Sequence, residues 1–174
     1  METITLRTAT IDDLAILEKW EKEPHVMASG IEDDWHWDVE LQRNPVWREQ
    51  LIAEVDGKPH GRPIGMVQII DPLLEDTHYW GDCEPNLRAI DIWIGERDAL
   101  GKGYGTAMMR LAMERCFANP AITAIIIDPL ESNVRAQRFY ERLGFRFVEK
   151  RRFDEDDCVV MCITREDFLG TVPL

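Results

Sequence analysis

Leu100-Gly-Lys-Gly-Tyr-Gly-Thr106 is the stretch that decides the fold. An apolar run with strand character, Arg88 to Ile94, precedes it. A run to about Phe117 follows, with Met109, Ala112, Met113 and Cys116 at helical spacing. Strand, glycine loop and helix in that order make a seat for a phosphorylated group. Gly101, Gly103 and Gly105 allow positive φ and close backbone approach. The amides around Gly103 to Thr106 then face an anion, with the helix dipole behind them. A lone glycine loop is explained equally well by a solvent-facing turn or tight packing; the flanking strand and helix favour the seat.

A second informative stretch is Asp128-Pro-Leu-Glu-Ser-Asn-Val-Arg-Ala-Gln-Arg-Phe-Tyr-Glu-Arg-Leu-Gly-Phe145. Ala124 to Ile127, just before it, is a short apolar strand suited to a sheet interior. Asn133 to Leu143 reads as a helix with Ala136, Phe139, Tyr140 and Leu143 along one stripe, and Gly144 takes the C-cap role.

Working outward, Thr3 to Thr8 alternates as a strand, and Thr10 with Asp13 marks a helix start. That helix is expected to reach about Lys22, burying Leu14 and Leu17, with Ile11 a further candidate and Pro24 closing it. Residues 25–45 read two ways: Trp35, Trp37, Val39 and Leu41 alternate, yet their acidic neighbours suit a helix or a loop. A hairpin follows, Trp47 to Val55, the turn Asp56-Gly57 and Pro63 to Ile70. Residues 71–86 form a long loop. Arg146 to Phe153 and Cys158 to Thr164 are strands around the acidic turn Asp154 to Asp157. The pattern predicts an α+β fold, one mixed and mostly antiparallel sheet flanked by helices, in a single domain over residues 1–174.

The chain has 174 residues and a net charge of -13. Such a surface repels phosphate backbones, so nucleic acid is not an expected partner, and it attracts cationic small molecules. No run of about 18 apolar residues is present, so no membrane span is expected. Met1-Glu-Thr-Ile-Thr-Leu-Arg7 lacks the regions of a signal peptide, and a cytoplasmic location is expected. The four cysteines fit reduced thiols. Cys158 and Cys162, four apart in a strand, read as buried thiols rather than a metal or redox pair. The histidines show no helical metal spacing, and no metal site is expected.

The glycine loop and the Asp128–Phe145 stretch together resemble the GNAT superfamily of acyl-CoA-dependent N-acetyltransferases. In that family the loop reads Arg or Gln, two residues, Gly, one residue, Gly or Ala, and wraps the pyrophosphate of coenzyme A. Leu100 stands where Arg or Gln is usual; since backbone amides carry most of the grip, one side-chain contact is lost and the seat is kept. The resemblance implies acetyl-CoA as co-substrate, with Leu100, Gly101, Lys102, Gly103, Tyr104, Gly105 and Thr106 at the pyrophosphate. It places the backbone of Ile92, Trp93 and Ile94 at the thioester and Asn133 at the pantetheine arm. Tyr140 sits near the sulfur. Lys102 reads equally as a charge contact or a solvated lysine, and Tyr140, on its helix's apolar stripe, has a core reading as well.

The substrate side is more specific. Asp71, Glu75, Asp76, Asp82, Glu84 and Asp91 crowd the segment before the glycine loop, with Tyr79, Trp80 and Trp93 among them. On the strand Arg88 to Ile94, Ala89, Asp91 and Trp93 share one face, and a mid-strand acid needs a partner or a task. Leu87-Arg-Ala-Ile-Asp91, the glycine loop, Asn119-Pro, Thr123, Ile127-Asp-Pro129, Ser132-Asn-Val-Arg-Ala136 and Tyr140-Glu-Arg-Leu-Gly-Phe145 resemble aminoglycoside 6′-N-acetyltransferases. The resemblance implies Asp91 as the acid nearest the reacting amine and Asp76 and Asp128 as holders of other ammonium groups; Tyr79 and Trp80, interleaved with the acids, suit aromatic walls that stack on sugar faces. Asp91 would take the amine's proton, Tyr140 would protonate the departing thiolate, and transfer would be direct in a ternary complex. The acidic loop also reads as a solvated Ω-loop, and Asp128 as the cap of a turn before Pro129.

Two other functions stay open from sequence. One is a GNAT acting on a siderophore hydroxylamine, a polyamine or a protein N-terminus. The other is a non-catalytic acyl-CoA sensor, which would need neither Asp91 nor Tyr140. A monomer and a homodimer are both compatible with the sequence.

Overall fold

The computed structural model describes residues 2–29, 35–56 and 61–171. In chain order come β1 (Ile4–Thr8), a tight helical turn (Ile11–Asp13), α1 (Leu14–Trp20), α2 (Pro24–Met27), α3 (Trp37–Glu40), β2 (Arg48–Val55), β3 (Arg62–Ile70) and β4 (Leu87–Ile94). Then follow α4 (Tyr104–Phe117), β5 (Ala124–Ile127), α5 (Val134–Arg142), β6 (Arg146–Phe153), β7 (Asp156–Thr164) and α6 (Arg165–Thr171). The seven strands form one sheet, ordered β1-β2-β3-β4-β5-β7-β6. β1 is antiparallel to β2, and β7 to both β5 and β6, while β4 and β5 are parallel. This is the expected α+β class. Among the described residues no helix is long and apolar enough to cross a membrane.

Two units divide the chain: residues 1–69 with Asp91–Ala112, and Ile70–Ile90 with 113–174. In the first unit, Leu17, Trp20, Val26, Trp37, Ile52, Met66 and Trp93 form the buried cluster. Gly95 is essential to it, because a Cβ there would fall 2.0 Å from the Trp20 ring. The Trp20 indole donates to Glu96 Oε1 at 2.8 Å, so a fully buried ring keeps its polar atom satisfied. β1 is tied down by Arg7, which sits between Asp13 at 2.6 Å and Glu54 at 2.7 Å. Thr10 N–H donates to Asp13 Oδ2 at 2.8 Å, the expected capping contact.

Two expectations are corrected in this unit, and one open reading is resolved. Pro24 does not close the first helix but opens α2 from position N1, where a missing N–H costs nothing. Ile11 is 47% exposed rather than buried. Of the two readings of residues 25–45, the helix or loop holds at Trp35 and Trp37: their rings stack at 5.3 Å, and both lie against Trp93. Trp37 opens the single turn of α3. Residues 57–60, which include the second half of the expected Asp56-Gly57 turn, lie outside the described residues; Asp56 itself has φ 56.

In the second unit, Trp80, Ala89, Ile126, Phe153, Cys158 and Val160 form the buried cluster, with Cys162 packed on it. Cys158 is therefore a core thiol, and burial pushes it up to about 12, whereas Cys162, expected to be buried as well, is only half-buried. The acidic turn is shorter than expected. Phe153 pairs with Asp156, so Asp154 and Glu155 alone make the turn and Asp156 and Asp157 belong to β7.

α5 ends as the sequence predicts. Gly144 has φ 99 and donates to the Glu141 carbonyl, while Phe145 N–H reaches the Tyr140 carbonyl at 3.1 Å. The Tyr140 and Phe145 rings then meet edge to face at 5.8 Å, completing a Schellman cap.

Candidate functional site

The glycine loop lies in the first unit. Leu100 is extended (φ -66, ψ 145), and Gly101 and Gly103 follow with φ 74 and 84. Both glycines are exposed, and a Cβ on either would meet nothing within 4 Å. Gly105 differs from expectation: it is helical, inside α4, and its conformation does not require glycine. Ala107 N–H donates to the Gly103 carbonyl at 3.2 Å, so the amides of Tyr104, Gly105 and Thr106 precede the first intrahelical bond. They stand at the positive end of a 14-residue helix anchored by buried Met108, Met109, Ala112, Met113 and Cys116. Bare backbone donors beside open space fit a pyrophosphate. Tyr104 contributes backbone alone, since its ring is buried and its hydroxyl donates to the Glu2 carboxylate. Lys102 and Thr106 are exposed at the loop.

β4 carries Asp91, half-buried, followed by half-buried Ile92, buried Trp93 and half-buried Ile94. Pairing to β5 covers Leu87 to Ala89 and goes no further. The His25 ring donates from Nε2 to the Ile94 carbonyl at 2.9 Å, which holds the strand's end and fixes the tautomer. Trp93 is a core residue of the tryptophan stack, so its backbone is the part left for a ligand.

The second unit holds the loop 71–86. Its organiser is Glu75, which is 8% exposed. Its carboxylate accepts Thr77 N–H at 2.8 Å, the Thr77 hydroxyl at 2.9 Å and Tyr79 N–H at 3.0 Å. Burial pushes this carboxyl up, but the three donors more than offset it and hold it below the usual range. The fold they impose sends Tyr79 toward β5, where its hydroxyl donates to Asp128 Oδ2 at 2.6 Å. Burial pushes Asp128 above the usual carboxylate range; Tyr79 works against the rise and Asp156 adds to it. The Tyr79 ring stacks on Phe153 at 4.5 Å. Trp80 is 5% exposed, edge-on to Phe153, and supports this wall from within rather than forming its surface. Asp76 is exposed, one residue from Glu75, and Asp71 is paired with Arg88 at 2.8 Å.

α5 places the last two residues. Asn133 is its N-cap, with Oδ1 accepting Ala136 N–H at 3.1 Å, so its side-chain NH2 is the group left for a ligand. Tyr140 is 9% exposed, one helix length on, beside Phe139 and Phe145.

Residues 10–153 match the family model described as an acetyltransferase (GNAT) domain. The chain belongs to the GNAT acetyltransferase family. This GNAT chain is 31% identical over 182 aligned positions to an aminoglycoside N(6′)-acetyltransferase type 1 of Klebsiella pneumoniae, covering 98% of this chain and 87% of that protein. It is 37% identical over 100 positions to a kanamycin resistance protein of Rhizobium radiobacter, covering 57% of this chain and 93% of that one. Among solved structures it is similar to the aminoglycoside acetyltransferase AAC(6′)-Ib in complex with coenzyme A and kanamycin. The TM-score is 0.82 at 30% identity, over 97% of this chain and 99% of that one. GNAT enzymes use acetyl-CoA as co-substrate, and the open glycine loop suits it.

Several residues that organise one unit or the other do not stand out in the sequence. Glu75 read as one acid among many, although its spacing to Thr77 and Tyr79 is that of a carboxylate closing a turn on itself. Phe153 read only as a strand end, and His25 fell in an ambiguous segment. Gln68 carried a usable signal, being a polar residue inside an apolar strand.

Proposed function

We propose that this GNAT enzyme acetylates a primary amine of a polycationic amino sugar, the 6′-amine of aminoglycosides, by direct transfer in a ternary complex. The observation that carries the reading is near-full-length similarity to a protein named for that activity. The acid-rich second unit supports it, since Asp128, Asp76 and the Tyr79 wall suit an acceptor bearing several ammonium groups.

Acetyl-CoA supplies the acetyl group as a thioester. Its pyrophosphate is held by the amides from Gly101 to Thr106, with Leu100 and Lys102 flanking, and its pantetheine arm by the Asn133 NH2. The backbone of Ile92, Trp93 and Ile94 holds the thioester carbonyl and stabilises charge developing there. Asp91 accepts the proton the acceptor ammonium must lose before it attacks. Tyr140 gives a proton to the departing thiolate. We read residues 1–174 as one catalytic domain, cytoplasmic, acting as monomer or homodimer.

The test is release of free CoA from acetyl-CoA with a panel of aminoglycosides with and without a free 6′-amine, plus spermidine and a lysine derivative. Turnover that requires the 6′-amine supports the reading; turnover with spermidine or lysine alone replaces the substrate. Asp91→Asn should abolish transfer and leave acetyl-CoA binding intact. Unchanged turnover would remove Asp91 from its role.

A further inference from the structure

Gln68 lies in β3 with 1% exposure, and its side-chain nitrogen has no hydrogen-bond acceptor. Buried amides are almost always bonded, so one that is not calls for an explanation. Its position supplies one. The Ile64 carbonyl accepts Gly95 N–H at 2.9 Å. A Cβ on Gly65 would fall 2.4 Å from the Trp93 carbonyl and 3.0 Å from Ile94 Cα. β3 and β4 thus run antiparallel with Ile64 beside Gly95 and Gly65 beside Ile94. Counting along both strands sets Met66 opposite Trp93, and these two do share the first unit's buried cluster. The next pair on the same face is Gln68 opposite Asp91. Facing side chains in such a pair have Cβ atoms about 4.5–5.5 Å apart.

We infer that Gln68 is a positioning residue for the acceptor. Its side-chain NH2 donates a hydrogen bond to an oxygen of the amino sugar that carries the reacting amine, while Asp91 beside it takes the amine. The inference rests on the acetyl-transfer reading above and adds what the acceptor must carry. An amide NH2 and an ammonium are both donors and cannot satisfy each other. An amino sugar offers ring and hydroxyl oxygens three or four bonds from its nitrogen, whereas an alkyl polyamine offers none. Gln68 therefore sorts amino sugars from polyamines. The site rewards an oxygen-bearing acceptor because that acceptor alone pairs a donor otherwise buried unbonded.

The test is Gln68→Met in the full chain, which keeps length and removes the donor. Steady-state kinetics with kanamycin and acetyl-CoA, and melting temperature, are compared with wild type. The expected result is a rise of about tenfold in KM for kanamycin, with kcat within about twofold, as one lost neutral hydrogen bond to ligand implies. KM for acetyl-CoA is unchanged and the melting temperature is unchanged or higher, since a buried unbonded group has been removed. Wild-type turnover of kanamycin with an unchanged KM in the variant overturns this inference alone. So does a rise in KM accompanied by a lower melting temperature and weaker acetyl-CoA binding, which marks a structural role. Wild-type protein active on spermidine and silent on kanamycin overturns both readings, and silence on both ends the acetyl-transfer reading and this one with it.

Discussion

The Tyr79 hydroxyl donates a 2.6 Å hydrogen bond to Asp128 Oδ2, joining the 71–86 loop to the residue that follows β5. The bond opposes the burial that raises the Asp128 carboxyl. A carboxylate must be charged to hold an ammonium, the role proposed for Asp128, and the Tyr79 bond favours that charged state. Without the bond, only a backbone hydrogen bond is left to oppose burial and the nearby Asp156 charge.

Tyr79→Phe is accordingly expected to raise the Asp128 pKa further and to weaken acceptor binding. KM for kanamycin should rise about threefold to tenfold at pH 7, as loss of one charge-assisted bond implies. It should climb further as pH falls, from a higher pH than in wild type. A KM–pH profile superimposable on that of wild type would remove the bond from acceptor binding.

Asp128 also makes a signed prediction about stability. Its folded pKa is raised, so the folded chain binds that proton more tightly than the unfolded chain does. Its ionised form therefore opposes folding above the folded pKa; the opposition fades as pH falls through that value and is gone below the unfolded one. Asp128→Asn, which still accepts from Tyr79, should melt at the same temperature as wild type or higher at pH 7, while losing affinity for kanamycin. A clear fall in melting temperature would show that the carboxylate stabilises the fold instead.

Glu75 carries the opposite sign. Its folded pKa is lowered, so its contribution to stability is present above the unfolded carboxyl value and is lost as pH falls through the folded one. Glu75→Gln loses the charge behind three hydrogen bonds and should cost about 2 kcal/mol, read as a melting temperature several degrees lower at pH 7. The variant's melting curve should also depend less on pH at the acid end. Equal melting temperatures at pH 7 would mean that the loop does not depend on this carboxylate.

The parts of this fold that were legible in the sequence are those set by local chemistry. The stripe Met109, Ala112, Met113 and Cys116 is buried because helical spacing fixes one face, and Gly144 ends α5 because left-handed backbone is costly for other residues. Gly101 and Gly103 were legible for the same reason, and Gly105 was over-read because glycine also serves inside a helix. What the sequence hid depends on partners distant along the chain. Pro24 suits both the end of one helix and the start of another. Trp35 and Trp37 alternate like a strand, yet their conformation follows from stacking on Trp93. Trp80 looks like a ligand wall until Phe153 is set beside it. The positions of Asp76, Tyr79 and Asp128 were readable as candidates, but the Tyr79–Asp128 bond required the loop geometry that Glu75 imposes.

The glycine loop predicts a separation of stability from cofactor affinity. A methyl group on Gly103 meets no protein atom within 4 Å, so Gly103→Ala suffers only the strain of positive φ, about 1–2 kcal/mol. The same methyl enters the space beside the amides proposed to hold the pyrophosphate. Acetyl-CoA affinity, measured by calorimetry, should fall at least about tenfold, with KM for the acceptor changed much less. Full acetyl-CoA affinity in the variant would place the pyrophosphate elsewhere.

Tyr140 supplies the last prediction, because its two readings differ in what its hydroxyl does. Its ring is fixed by the Schellman cap, through the Phe145 bond to its carbonyl and the edge-to-face contact with the Phe145 ring. Tyr140→Phe keeps that packing and removes the hydroxyl, the proposed source of the thiolate's proton. kcat should then fall about a hundredfold, the lower end for loss of a general acid. KM for acetyl-CoA should hold steady and the melting temperature should stay near that of wild type. Gly144→Ala acts from the other side: it strains the cap that holds Tyr140, at about 1–2 kcal/mol, and lowers melting temperature first. If Tyr140→Phe retains wild-type kcat while Gly144→Ala loses stability, the tyrosine is a core aromatic and the thiolate takes its proton from solvent.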